Sequence, residues 1–409
     1  MRIDRRFFLR DSAIAMAGAG VAPLWLARAA ETGSGGGARR KVLVALFLRG
    51  AMDGLNAVIP FGDRRYFEMR PTIAIPAPGK SEGALDLDGR FALHPSLGPL
   101  KALWDRKQLA IVHAAGSPDA TRSHFDAQDY MESGTPGRKS TRDGWLNRTL
   151  TPGGAATPLR AISIGPRLAR TMRGVNSAVA IGNIRDFKLS EKKSMGALEA
   201  MYLGMRDADL AAPGRATFEA MKLIESIDRT PYSPTPGAAY PSSKFGQSLQ
   251  QIARLIKADL GVEVAFADIG GWDTHTNESR QLPNLLSNLA GSLGAFCTDL
   301  GNRFEDVTVV TMSEFGRTAR ENGNGGTDHG HANVMFVAGG SAALKGGRVH
   351  GVWPGLEREQ LYEGRDLAVG TDFRSVLGEL VSGHLGVQEL DRVFPGAAGV
   401  AAMRVGLLA

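Results

Sequence analysis

The sequence predicts an α/β fold, a three-layer α/β/α sandwich around a mostly parallel central sheet, and three observations carry that expectation. Continuous apolar runs of strand length stand at residues 41–48, 109–115, 262–269 and 307–312, the pattern of strands buried on both faces. Segments of helical spacing alternate with them, such as residues 243–260 with Leu249, Ile252, Leu255 and Ile256, and strand–helix alternation argues for parallel strands covered on both sides. Asp and His residues crowd directly behind the apolar runs, where a parallel sheet gathers functional groups at the carboxyl ends of its strands.

The chain opens with Arg5 and Arg6 ahead of the mildly apolar run Ala13–Leu26, followed by Ala27, Arg28 and Ala29. Paired arginines in that setting, with a small-x-small end, resemble a twin-arginine export signal over residues 1–29, so the mature protein is expected in the periplasm or otherwise exported. The apolar run is too short and too weak for a secure membrane span, and no stable span is expected after the signal is cleaved. A Gly-rich linker covers residues 30–40, and residues 41–409 read as one domain. Its first strand ends in the loop Arg49–Asn56, which carries Asp53, also readable as an ordinary turn residue beside Gly54. Residues 60–108 are irregular, with a β-ribbon near 85–91 and a helix ending near Lys107. The second strand leads to Ser123, a helix N-cap candidate with Asp126 in the place of a capping-box acid. Short strands follow at 159–164 and 178–181, and a helical, Pro-rich insertion spans roughly 189–241. A helix over 243–260, a strand to Ile269, a helix over 282–304, strands at 307–312 and 333–338, and an amphipathic helix near 373–385 complete the chain.

Composition excludes several classes. The formal charge is +6, but the first 29 residues hold five arginines against two aspartates, so 43 basic and 40 acidic residues remain beyond them. That is too balanced for a nucleic-acid binder, and no basic stripe is interleaved with aromatics. One cysteine, Cys297, rules out an intrachain disulfide framework and a Cys-rich zinc module. There is no phosphate-binding P-loop, dinucleotide fingerprint or GxSxG elbow.

Four strand-end elements are expected to meet at one sheet edge. They are Asp53, Ser123 with His124, Asp273 with His275, and the trio Asp328, His329 and His331. Carboxylates mixed with imidazoles suit zinc or manganese rather than magnesium or calcium. One or two divalent ions there would make a serine usable as a nucleophile. Arg317 and Arg49 are candidates for holding an anionic substrate.

The pieces RGAMDGLN (49–56), FALHPSL (91–97), TRSHFDAQD (121–129), GGWDTH (270–275), SEFGRT (313–318) and GTDHGHANVMFV (326–337) resemble the domain-of-unknown-function 1501 (DUF1501) family. That resemblance implies the alkaline phosphatase-like superfamily, with arylsulfatases, and therefore metal sites at the carboxyl edge of the sheet. It implies Asp53 as a ligand from the first strand, Ser123 as nucleophile with Thr121 as its competitor, and Asp328 and His329 completing the shell. Asp273 and His275 would serve a second ion, with His350 as a candidate third ligand, and His331 would stand behind the ligands. His124 joins Arg317 and Arg49 as a substrate contact. The expected function is hydrolysis or transfer of small anionic phosphate or sulfate esters. The alternative is a non-catalytic envelope protein acting through another exported protein.

Overall fold

The computed structural model describes residues 39–151, 157–184, 219–225, 227 and 231–409. The expected signal and most of its linker, and residues 189–218, 226 and 228–230 of the expected insertion, lie outside the described residues. The main sheet has nine strands: β1 (Val42–Leu48), β2 (Leu109–Gly116), β3 (Ala161–Ile164), β4 (Val179–Ile181), β5 (Val264–Ile269), β6 (Val307–Met312), β7 (Asn333–Gly339), β8 (Arg348–His350) and β9 (Thr371–Asp372). Their order is β8-β2-β7-β6-β1-β5-β3-β4, with β9 pairing β2. The helices that matter below are α1 (Gly98–Asp105), α2 (His124–Ser133), α3 (Lys244–Lys257), α4 (Glu278–Leu300) and α5 (Phe373–Gly383).

β1 is apolar and buried along its whole length because it lies between β5 and β6, parallel to both. Its alternate residues serve two cores. Val42, Val44, Leu46 and Leu48 pack with Leu100, Leu249, Leu286 and Phe296 from α1, α3 and α4. Leu43, Ala45 and Phe47 pack with Trp145, Leu146 and α5 residues Phe373, Val376 and Leu380. A strand buried on both sides cannot alternate apolar and polar, so the continuous run follows from the layering. The expected ribbon is a small three-stranded sheet of residues 58–59, 85–86 and 92–93.

One strand is reversed, and the site depends on it. β7 runs antiparallel to both β6 and β2. The connection from Met312 to Asn333 therefore leaves and re-enters the sheet at the same edge, the carboxyl edge of the parallel strands. α4 also departs from expectation. It starts at Glu278 rather than Leu282, with Pro283 inside it. Its polar first turn is tied to the β6–β7 connection by the Glu278 N–H bonding to Gly325 O at 2.8 Å. No helix among the described residues is long and apolar enough to cross a membrane.

Candidate metal centre

Three loops at that edge bring His124, Asp273 and His329 together, with His275 against the last two. The first residue of α2 supplies His124, the loop after β5 supplies Asp273 and His275, and the β6–β7 connection supplies His329. His329 Nε2 lies 3.0 Å from His124 Nε2 and 3.0 Å from His275 Nε2. Asp273 Oδ1 lies 3.3 Å from His329 Nε2 and 3.0 Å from His275 Nε2, and its Oδ2 lies 3.5 Å from His124 Nε2. The donor atoms of His124, Asp273 and His329 all fall within 4.8 Å of one another.

The other nitrogen of each ring decides what these Nε2 atoms are. His124 Nδ1 faces Glu314 Oε1 at 2.8 Å, His275 Nδ1 faces Asp328 Oδ1 at 3.0 Å, and His329 Nδ1 faces the Arg122 carbonyl at 2.9 Å. Carbonyls and ionised carboxylates only accept, so each Nδ1 carries the proton and donates it. In the neutral rings every Nε2 then presents a lone pair, and three lone pairs and a carboxylate crowd one spot. Lone pairs at 3.0 Å repel unless a cation or proton stands among them. Ligands bound at about 2.0–2.1 Å in a tetrahedron sit roughly 3.3 Å apart, close to the spacings here. Imidazoles oriented through Nδ1 by carboxylates and a carbonyl are the arrangement that tunes metal ligands. The donor set fits a zinc-type ion.

The surroundings keep the orienting acids ionised. Burial works against the charge of Glu314, but hydrogen bonds from His124, Gln128 and the Gly50 N–H outweigh it and hold the carboxyl below its usual range. A hydrogen bond from Asn322, joined by His275, lowers Asp328. Burial opposes the Asp273 charge, and the Arg317 guanidinium, 2.5 Å away, overcomes it. The bond to Glu314 raises His124, whereas burial lowers His329.

The family described as "Protein of unknown function (DUF1501)" matches residues 40–393. The chain belongs to the DUF1501 family. Among solved structures, the one titled "Crystal structure of Ps i-CgsB in complex with k-i-k-neocarrahexaose" matches with 10% identity and a TM-score of 0.39, over 88% of this chain and 75% of its own. No curated protein matches. All four converging residues of this DUF1501 chain lie inside the family match.

Several expected site residues stand elsewhere. Asp53, expected as a ligand, is buried and paired with the fully buried Arg70, while its Oδ1 caps the helix at residues 54–57 through the Leu55 and Asn56 N–H groups. Arg70 and the two backbone N–H groups thus take both oxygens of this carboxylate. Arg317, expected to hold substrate, is inaccessible. It donates to the carbonyls of Gly50, Ala51, Trp272 and Thr327 and to Asp273, stitching three loops together. Arg49 is likewise committed, to Asp268, Gln128 and Glu132. His124, expected as a substrate contact, is one of the converging imidazoles. Asp328 orients His275 instead of joining the group. His331 turns away, to the Ser117 carbonyl at 3.1 Å and the Tyr362 ring. His350 lies on β8 and bonds the Lys345 carbonyl.

Ser123 does occupy the N-cap position of α2, but its hydroxyl makes no capping bond and the residue is exposed. Asp126 pairs with Lys139 rather than completing a capping box. The Thr121 hydroxyl accepts from the Ser123 N–H at 3.2 Å, and Ser123 is the more exposed of the two.

Three supports had no orienting role in the sequence reading. Glu314 orients His124. Asp366, fully buried, binds both Arg122, whose carbonyl fixes His329 Nδ1, and Arg365, whose guanidinium holds the His329 carbonyl. Arg70 neutralises Asp53. Only Glu314 carried a signal, an acid placed two residues past an apolar strand.

Proposed function

We propose that this DUF1501 chain is an exported, metal-dependent hydrolase or transferase of phosphate or sulfate esters, on an alkaline phosphatase-like variant of its α/β fold. The convergence of the His124, His275 and His329 lone pairs with the Asp273 carboxylate carries the reading. These four residues would hold a divalent ion, zinc or manganese. Such an ion, when bound, polarises an ester oxygen and lowers the pKa of a neighbouring hydroxyl. Ser123 is the nucleophile of this reading: its uncommitted hydroxyl directly precedes His124, at the amino end of α2 where an anion is favoured. Arg365, 46% exposed and bonded through Nε and one terminal nitrogen to Asp366 and the His329 carbonyl, offers its other terminal nitrogen for the anion-holding role expected of Arg317. Export rests on the paired arginines of the N-terminal segment.

Metal analysis of the purified chain and a panel of phosphate and sulfate esters test the proposal. Ser123→Ala should retain the metal and lose turnover, and His329→Ala should lose both. Ester turnover in metal-free protein, or turnover that survives Ser123→Ala, would refute it. A second reading, docking of an exported partner protein, is favoured by Phe125, 90% exposed one residue after His124. A metal-loaded chain without turnover, retaining a partner that Phe125→Ser releases, would support it.

A further inference from the structure

We infer that Glu278 is a positioning residue of the metal centre, a buried carboxyl that clamps the loop carrying Asp273 and His275 to the loop carrying Asp328 and His329. The inference rests on the metal reading above. Glu278 is fully buried. Its Oε2 accepts from the Thr327 hydroxyl at 2.8 Å and from the Thr274 hydroxyl at 3.2 Å. Thr274 sits between Asp273 and His275, and Thr327 immediately precedes Asp328. One carboxyl oxygen therefore holds both ligand-bearing loops from beneath. Its Oε1 accepts from Asn56 Nδ2 at 3.0 Å, and Asn56 is held in turn by the Tyr66 hydroxyl at 2.7 Å.

The loops are pressed together at this point. The Thr327 N–H bonds the Thr274 carbonyl at 3.2 Å, and Asn322 Nδ2 bonds the His275 carbonyl at 2.9 Å. A Cβ on Gly326 would come within 2.5 Å of the His275 carbonyl group, so only glycine permits the approach. A lateral slip of either loop would change the 3.0 Å separation of His275 and His329, and Glu278, like Arg317, bonds to both loops.

Charge explains why a carboxyl can serve there. Asp53, Arg70 and Glu278 are all buried, with a single cation for two acids. A second uncompensated charge would cost several kcal/mol, so Asp53 stays ionised against Arg70 and Glu278 keeps its proton. Burial, with the Asp53 charge beside it, pushes the Glu278 carboxyl well above its usual range. The clamp is thus a neutral acid, which accepts two hydroxyls and adds no charge between the loops.

The test uses the full chain, stripped of metal, titrated with Zn2+ against a chromogenic chelator and with Co2+ by its visible absorption. Glu278→Leu should weaken Zn2+ binding by about 10–100-fold and alter the Co2+ spectrum. Glu278→Gln, which mimics a protonated acid, should stay within about 3-fold of the parent, well short of that loss. Should Glu278→Leu fail to fold, the paired change Thr274→Val with Thr327→Val removes only the clamped hydroxyls and should weaken binding in the same direction. Unchanged affinity and spectrum in these variants, with only the melting temperature lowered, would reduce Glu278 to a structural residue and overturn the inference. So would a Gln variant as weak as Leu. A parent chain that takes up neither ion would instead refute the metal reading itself.

Discussion

Arg70 is the residue whose removal should be felt most strongly away from the candidate metal centre. Its guanidinium is fully buried, donates to Asp53 and to the carbonyls of Thr318 and Ala319, and is the counter-charge of the Asp53–Glu278 pair. Arg70→Met keeps the apolar stem and deletes the charge. It strands a carboxylate that is 1% exposed, and breaking a buried pair from one side costs about 3–5 kcal/mol. Unfolding entropy of about 2.1 cal/mol/K per residue gives about 0.9 kcal/mol/K for 409 residues, so the melting temperature should fall by about 3–6 °C. The diagnostic is the double variant Arg70→Met with Asp53→Asn. Neutralising the stranded acid should recover part of the loss, a coupling read directly from a double-mutant cycle by chemical denaturation. If Arg70→Met costs under about 1 kcal/mol, the range of exposed pairs, or if Asp53→Asn adds its own cost on top, the buried-charge account is wrong.

Three further outcomes are expected. Glu314→Gln should cost about 10–100-fold in Zn2+ affinity, because the His124 ring loses the carboxylate that fixes its Nδ1 proton; equal affinity in a chelator competition would contradict this. Gly50 has φ +116, and a Cβ there would lie 2.7 Å from the Asp273 N atom, so Gly50→Ala should push the Asp273 loop aside and weaken metal binding, with unchanged binding as the refuting result. Burial pushes His113 down to about 4, with its Nε2 held by the Val58 carbonyl at 2.9 Å. A base depressed in the folded state charges first in the unfolded chain, so its stability contribution is present at neutral pH and is lost as pH falls from about 6.5 towards 4. About 2 kcal/mol should go between pH 7 and 4.5, and His113→Asn should flatten that part of the denaturation profile; an identical pH slope in the variant would refute it.

The layered fold was legible because burial on both sheet faces leaves a one-dimensional trace, an apolar run without alternation, as in β1 and β6. The reversal of β7 left no such trace, since a run buried on both faces reads alike in either direction. At the site, Asp273, His275 and His329 were legible as strand-end groups, but the division of labour was not. Asp53 and Asp273 hold equivalent places behind neighbouring strands, and each has an arginine beside it. What separates them is how much of the carboxylate the arginine and the caps consume. Arg70, at the end of a short helix 17 residues away, and two backbone N–H groups enclose Asp53. Arg317 takes one oxygen of Asp273 and leaves that residue 45% exposed towards the imidazoles. His329 and His331 pose the same problem. An extended segment would set residues two apart on one face, so nothing in their spacing separates the two. Gly330 lies against the backbone of Arg317, where a Cβ would come within 2.3 Å, and its N–H bonds the Gly316 carbonyl at 2.8 Å. The chain bends there, and His331 is sent to Ser117 while His329 faces His124. Ligand chemistry is written in residue type and survives in the sequence. Which candidate ligands converge is decided by arginines and glycines that arrive from elsewhere in the chain, and it becomes visible only when the loops are in contact.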